Sequence, residues 1–257
     1  FPIVNGFQTT LAGSQDAYLV RLSSGGDMIE FSTYLGGSSS DRGFGIAVDA
    51  VGNTFIAGST FSSQNFPILN AFQSRFGGGR GDAFLTKISA AGAVAFSTFL
   101  GGTGDDQAFD CVLDSGGNII LTGFTTSNNQ GTNAVPFPTL NALVPTWRGG
   151  DDAFITKFDS TGRNLVFSTY WGGSGADDGV RVAVDKDDNI YATGYTNSQN
   201  FPLKNPAQLL PNGGYDAYLI KLQPDGKDAM FSTYIGGEDT DGGVSVAVDR
   251  EIGRAHV

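Results

Sequence analysis

Cysteine and histidine are almost missing: the 257-residue chain has one of each, Cys111 and His256. One cysteine excludes an intramolecular disulfide framework and any cysteine-rich zinc site. One histidine leaves little scope for imidazole ligation or acid–base chemistry. Glutamate is scarce as well, with 3 residues against 23 aspartates. Charged residues make up 16% of the chain, too few for a coiled coil or a solvated helical array. No apolar run approaches the ~18 residues of a membrane-spanning helix. Basic residues are outnumbered 15 to 26, and the net charge of −11 argues against a nucleic-acid backbone or an anionic membrane surface as partner.

What is abundant points to strands and tight turns. There are 38 glycines, 20 phenylalanines and 8 tyrosines, and hydrophobic residues make up 40% of the chain. Aspartate favours turns because its short carboxylate bonds nearby backbone N–H groups. Aromatic residues favour strands. The apolar content is ample for a core, so wholesale disorder is excluded.

The chain repeats itself. Phe-Ser-Thr-aromatic, an apolar residue and Gly-Gly occur four times, starting at Phe31, Phe96, Phe167 and Phe231, with spacings of 65, 71 and 64 residues. Asp-Ala-aromatic recurs at Asp16, Asp82, Asp152 and Asp216, and Phe-Pro at Phe1, Phe66, Phe137 and Phe201. A further aspartate closes apolar runs at Asp49, Asp114, Asp185 and Asp249. Each unit reads as four short strands, with near-continuous apolar positions as in sheets covered on both faces. A four-stranded antiparallel meander in tandem describes a propeller blade. The expected fold is all-β: an incomplete β-propeller of three full blades plus most of a fourth, with blades at 16–60, 82–126, 152–196 and 216–249.

These motifs resemble the SBBP-type β-propeller repeat of bacterial surface and secreted proteins. The resemblance rests on Asn65-Phe66-Pro67, Ala71-Phe72-Gln73, Gly81-Asp82-Ala83-Phe84, Phe96-Ser97-Thr98-Phe99-Leu100-Gly101-Gly102 and the Val-Asp turn, and it extends from Phe1 to about Asp249. It implies a propeller in the bacterial envelope or outside the cell, and it brings no catalytic residues with it. Phe1 falls in a linker and the last unit stops after its third strand, so residues 1–251 read as part of a propeller whose remaining blades belong to the same polypeptide. Residues 252–257 depart from the repeat, match the translation of a common sequencing-library adapter, and read as a non-native tail.

Residues in phase with the repeat are read as scaffold and those that occur once as candidate sites. Asp41, Asp106, Asp177 and Asp241 follow Gly-Gly by four residues; loop capping is favoured over calcium ligation. The first-strand Asp16, Asp82, Asp152 and Asp216 are structural too. Arg21, Lys87, Lys157 and Lys221 follow these by five residues. If the first strand is innermost they line a central channel, but pairing with a recurrent aspartate is favoured because an unpaired buried charge is costly. Asp185, Asp187 and Asn189 match the opening of a calcium loop, which then fails at Ile190 for want of glycine. Cys111 and Trp171 stand at apolar repeat positions and read as core. Arg80-Gly81-Asp82 is an integrin-type tripeptide whose aspartate the repeat already requires.

The non-repeating candidates for binding are Trp147 and Arg148 in one linker and the Asn-rich insertion with Asn128, Asn129 and Asn133. The leading functional expectation is a non-catalytic interaction or display module of a larger secreted or surface protein. It needs no cofactor, and its partner is a protein or an extracellular polysaccharide, with no nucleic acid and no membrane insertion. A calcium-dependent lectin-like module is the first alternative. A polysaccharide-acting enzyme with its site on other blades is the second.

Overall fold

The computed structural model describes residues 1–128, 130, 132–249 and 255–257. Asn129 and residues 252–254 of the expected tail lie outside the described residues. The chain runs β1 (Ala17–Leu22), β2 (Ile29–Leu35), β3 (Asp41–Val48), β4 (Thr54–Thr60), β5 (Asp82–Ile88), β6 (Val94–Leu100), β7 (Asp106–Leu113) and β8 (Ile119–Thr125). It continues with β9 (Asp152–Phe158), β10 (Leu165–Trp171), β11 (Asp177–Val184), β12 (Ile190–Thr196), β13 (Asp216–Leu222), β14 (Ala229–Ile235), β15 (Ala247–Val248) and β16 (Ala255–His256).

Three sheets are complete, each a four-stranded antiparallel meander: β3–β6, β7–β10 and β11–β14. Two-stranded pairs, β1–β2 and β15–β16, flank them, and the described sheets do not close on one another. The expected blades at 16–60, 82–126, 152–196 and 216–249 are therefore out of phase with the sheets by half a blade. The short Gly-Gly loops, such as residues 36–40 and 101–105, step from one sheet to the next. The long Phe-Pro linkers, such as residues 61–81, join neighbouring strands of the same sheet, with Thr60 opposite Asp82, Thr125 opposite Asp152 and Thr196 opposite Asp216.

A second correction follows. The principal contacts between sheets run from β7 to β3, β4 and β5, and from β11 to β7, β8 and β9. β3, β7 and β11 therefore lie innermost, where the strands crowd; a Cβ on Gly45 would stand 2.7 Å from the backbone of Asp110. The strands that carry Lys87, Lys157 and Lys221 are third from the inside and line no axial channel.

Each linker turns back along the outermost strand of its own sheet. Leu69 bridges Ser97, Leu140 bridges Ser168 and Lys204 bridges Ser232. The threonine of Phe-Ser-Thr pins the same linker: Thr98 Oγ1 accepts from Gln73 N at 2.8 Å, and Thr169 Oγ1 from Val144 N at 2.9 Å. Asn70, Asn141 and Asn205 take the left-handed conformation that asparagine tolerates, and their side chains donate to carbonyls of the outer strand. The Phe of Phe-Pro then turns inward. Phe137 is buried with its ring 4.6 Å from Phe154 and 6.1 Å from Tyr170, and Phe201 repeats this with Tyr218 and Tyr234 at 4.7 and 5.8 Å. One aromatic cluster per sheet thus accounts for three motifs: Phe-Pro, Asp-Ala-aromatic and Phe-Ser-Thr-aromatic.

Sheets are joined face to face by the turns between the two outer strands. A Cβ on Gly162, which has φ of 68°, would meet the Phe96 ring of the preceding sheet at 2.5 Å. Cys111 and Trp171 are buried in the main core cluster. At β3 the equivalent packing is open: Ile46 is 59% exposed where Cys111 and Val182 are 1% and 3% exposed. A cavity of about 410 Å³ lies there beside the unpaired edge of β1.

If the linker is part of the core, Phe137→Ala removes an aromatic anchor and lowers the unfolding free energy by about 4 kcal/mol. Chemical denaturation of wild type and variant measures this. A loss below about 1 kcal/mol would show that the linker rests on the sheet without supporting it.

Candidate functional site

Each unit draws two sequence-distant aspartates to one Gly-Gly loop. Asp82 heads β5 and Asp106 heads β7, and both are fully buried. They flank Gly101, where a Cβ would stand 2.5 Å from Asp106 Oδ2 and 2.9 Å from Asp82 Cγ. The first glycine of the motif therefore clears room for carboxylates. The second clears room for the linker: a Cβ on Gly37 would stand 2.6 Å from Phe66 N.

Donors surround the loop aspartate. Asp106 Oδ2 accepts from Gly102 N at 2.9 Å and from Ser127 Oγ at 2.8 Å. Asp41 accepts from Gly37 N and Ser62 Oγ, and Asp177 from Gly173 N, Ser198 Oγ and the Thr196 hydroxyl. Asp241 keeps the Gly237 bond in a more exposed setting. These are the loop-capping contacts of a structural carboxylate.

The first-strand aspartates are less well served. Asp82 Oδ2 accepts from Gly77 N at 2.7 Å and Gln73 Nε2 at 3.2 Å, and the same glutamine accepts from Gly101 N. Gln8 does both for Asp16 and Gly36. In the third unit Val144 replaces the glutamine and Asp152 Oδ2 keeps the Arg148 backbone N–H at 2.8 Å; the buried Oδ1 has no hydrogen-bond partner in Asp82 and Asp152 alike. Burial pushes Asp82 and Asp106 up to about 7. It pushes Asp152 up to about 8, with Asp177 and Asp151 adding to the rise. The role of the glutamine was missed in the sequence, although its recurrence at Gln8, Gln73 and Gln208 was there to see.

The cations pair with a different aspartate, the one that opens the turn between the two inner strands. Lys157 Nζ lies 2.8 Å from Asp114, Lys221 3.2 Å from Asp185 and Lys87 4.0 Å from Asp49. Lys157 also donates to Pro224 O in the next sheet. Arg21, with no inner strand pair beside it, contacts Glu30 at 3.3 Å and Ala90 O instead. Burial alone would raise Asp114, but Lys157, the Asn118 side chain and its N–H outweigh it and hold the carboxyl low.

Asp185 is filled in the same way. Its oxygens accept from Asp187 N, Asn189 N, Asn189 Nδ2 and Tyr191 Oη in addition to Lys221. Asp187 faces solvent and pairs with Lys186. Among the described residues no group of three or more His, Cys, Asp or Glu is arranged to hold a metal ion.

Trp147 is not the free ring that the sequence suggests. It is half-buried against the core, and its Nε1 donates to Gly150 O at 3.1 Å, so it props the loop that leads to Asp152. Arg148 has an exposed side chain. In the insertion, Asn128 closes a local turn with Gln130, and Asn133 is exposed in the left-handed conformation. Asp82 of Arg80-Gly81-Asp82 is buried, so the tripeptide is not displayed.

One rim does vary from unit to unit. It is the end of the sheets where β3, β7 and β11 begin and β4, β8 and β12 stop. At one register position the residues are Arg42, Gln107, Asp178 and Gly242; at another they are Gly81, Asp151 and Tyr215. A cavity of about 310 Å³ between the first two complete sheets is lined by Ser40, Arg42, Phe61, Arg80, Asp105 and Gln107. At the next joint stand Asp151 and Asp178; burial pushes Asp178 up to about 6, and Asp151 adds to that. Beyond it, Tyr195 and Tyr215 meet edge to face at 6.0 Å over a second cavity of about 310 Å³.

Two outcomes are expected from these carboxyls. Asp82, Asp106 and Asp152 titrate near 4 when unfolded and near 7 to 8 when folded. Between those limits the native chain holds protons that the unfolded chain has lost, so stability falls as pH rises from about 4 to 8. Asp114 and Asp185 work in the opposite sense, and their contribution is lost as pH falls through their lowered values. Thermal melts should therefore be higher at pH 5 than at pH 8, and Asp152→Asn should narrow that difference; a wild type that melts higher at pH 8 contradicts the scheme. Separately, Lys157→Ala leaves Asp114 buried without its cation and should cost about 3 kcal/mol in denaturant titrations, whereas a cost near zero would mean that the turn alone satisfies Asp114.

Comparison with known proteins agrees with this geometry. Over 174 residues, 66% of the chain, it is 25% identical to the regulatory protein FlaEY of Caulobacter vibrioides. The chain spans 17% of that protein's length. The family model described as a beta-propeller repeat, SBBP, matches residues 30–67 and 166–202. Each match runs from an outer strand through the Gly-Gly loop and the next two inner strands to Phe-Pro, so the SBBP beta-propeller repeat model matches two stretches of this chain at the same phase.

Proposed function

We propose that this chain is a non-catalytic interaction module of a larger bacterial secreted or cell-surface protein, and that it binds a protein or an extracellular polysaccharide through the variable rim. The observation behind this reading is the division of labour within each unit. Residues that recur are consumed by the scaffold: carboxylates by N–H groups and hydroxyls, lysines by aspartates, linker rings by the core. Residues on the rim change from arginine to aspartate to tyrosine on an unchanged backbone, as binding residues carried by a rigid scaffold do. The aspartates that recur are saturated or buried, so they do not supply the pair of carboxylates facing one cleft that glycoside hydrolysis requires. A regulatory relative is compatible with a module that works by contact.

The test is binding by the purified chain to immobilised glycans and envelope proteins, with and without chelator, comparing wild type with Arg42→Gln, Asp178→Asn and Tyr215→Ala. At least one ligand should lose ten-fold or more in affinity through a rim variant whose melting temperature is unchanged. Binding that survives all three rim variants and disappears on changing Trp147 would move the site to the linker, in favour of the lectin-like alternative. Turnover of a glycan would replace the reading with an enzymatic one.

A further inference from the structure

We infer that the cavity between the first two complete sheets is a subsite for a carboxylate-bearing sugar, such as one hexuronic acid unit of an acidic polysaccharide; this rests on the interaction-module reading above.

The starting point is cation usage. The chain has six lysines, and each stands within 4.0 Å of an acidic side chain. The arginines differ: among the described residues only Arg21 forms an ion pair with an acidic side chain, and two of the others line one cavity. Among the described residues neither Arg42 nor Arg80 has a carboxylate within ion-pair distance of its guanidinium. Arg42 Nε touches only the amide oxygen of Gln15, at 3.2 Å. Neither arginine recurs: the matching positions hold Gln107 and Asp178 for Arg42, and Gly150 and Gly214 for Arg80.

The cavity is built rather than incidental. Arg80 ends a glycine loop fixed from two sides, by Gly77 N on Asp82 at 2.7 Å and by Arg80 N on Asp105 Oδ1 at 2.6 Å. Gly78 and Gly79 have φ of 148° and 58°, conformations in which other residues are strained. A guanidinium carried on such a loop loses less freedom on binding than one on a mobile loop. The other wall is the start of β3, held in its sheet. The volume of about 310 Å³ is at the small end of ligand pockets and suits one sugar ring.

The lining selects the ligand chemistry. Guanidinium groups recognise planar carboxylates through paired N–H donors. Ser40 and Gln107 each give and accept hydrogen bonds, as sugar hydroxyls require. Phe61 offers an apolar flank for the C–H face of a ring. Asp105 on the same wall repels a dense polyanion such as a sulfated or phosphorylated chain, yet it accepts from hydroxyls. A ligand that carries one carboxylate among several hydroxyls satisfies all of these groups together.

The experiment is calorimetric titration of the purified chain with oligogalacturonate, with the same oligomer reduced to the neutral sugar, and with an Asp/Glu-rich peptide. Wild type should bind oligogalacturonate, with at least ten-fold weaker binding of the neutral oligomer and of the peptide. Arg42→Gln combined with Arg80→Gln should cost ten-fold or more while leaving the melting temperature unchanged, because both side chains are exposed. Equal binding of the neutral oligomer, tighter binding of the peptide, or an undiminished double variant each overturns the inference. If no uronate binds but another ligand is lost through Tyr215→Ala, the inference fails and the rim reading stands; if no ligand responds to any rim change, the reading falls too.

Discussion

A carboxylate taken out of water has to find a cation, a set of donors or a proton, and this chain buries a row of them at the junctions of its sheets. Each outcome occurs. Asp114 takes a lysine, Asp177 takes an N–H and two hydroxyls, and Asp152, like Asp82, is pushed by burial to take a proton near neutral pH. The Gly-Gly motif, the serine after the inner strand pair, the glutamine of the linker and the lysine of the third strand are all answers to that electrostatic demand. Replacing the carboxylates by apolar groups would remove the demand, but it would also remove contacts that help hold the end of one sheet, the start of the next and the returning linker at a single point.

Packing supplies the second tie. The linker phenylalanine, the aromatic of the third strand and the aromatic of the outer strand close one cluster per sheet, so a segment that looks like a connector becomes a layer of the core. The carboxylate junction and the aromatic cluster lie on the same stretch of chain. Polar and apolar contacts therefore enforce the same path for the linker, which is the agreement between levels expected of a uniquely folded sequence.

Much of this was legible in the residues. The repeat, the strand count and the turn aspartates follow from periodicity and from turn chemistry. The phase of the sheets did not, because short connections usually join neighbours in one sheet and long ones join separate units; here the five-residue Gly-Gly loop crosses between sheets and the long linker stays within one. Pairing of Thr60 with Asp82 is a non-local fact that local pattern does not carry. Trp147 misled for a related reason: a tryptophan in a polar linker reads as exposed only until the linker is known to lie on the core. The rim was invisible because its residues share no motif, and only the fold brings Arg42 and Arg80 to one cavity.

The half-blade offset has an evolutionary consequence. Every complete sheet is assembled from the end of one sequence unit and the beginning of the next, so a unit added or deleted by recombination anywhere in the array always leaves matching half-sheets at the splice. Thr-terminated inner pairs meet Asp-headed outer pairs whichever copies are joined. The array can therefore lengthen, shorten or exchange units without creating an unmatched edge at the splice, and the rim residues travel with each unit as an interchangeable set.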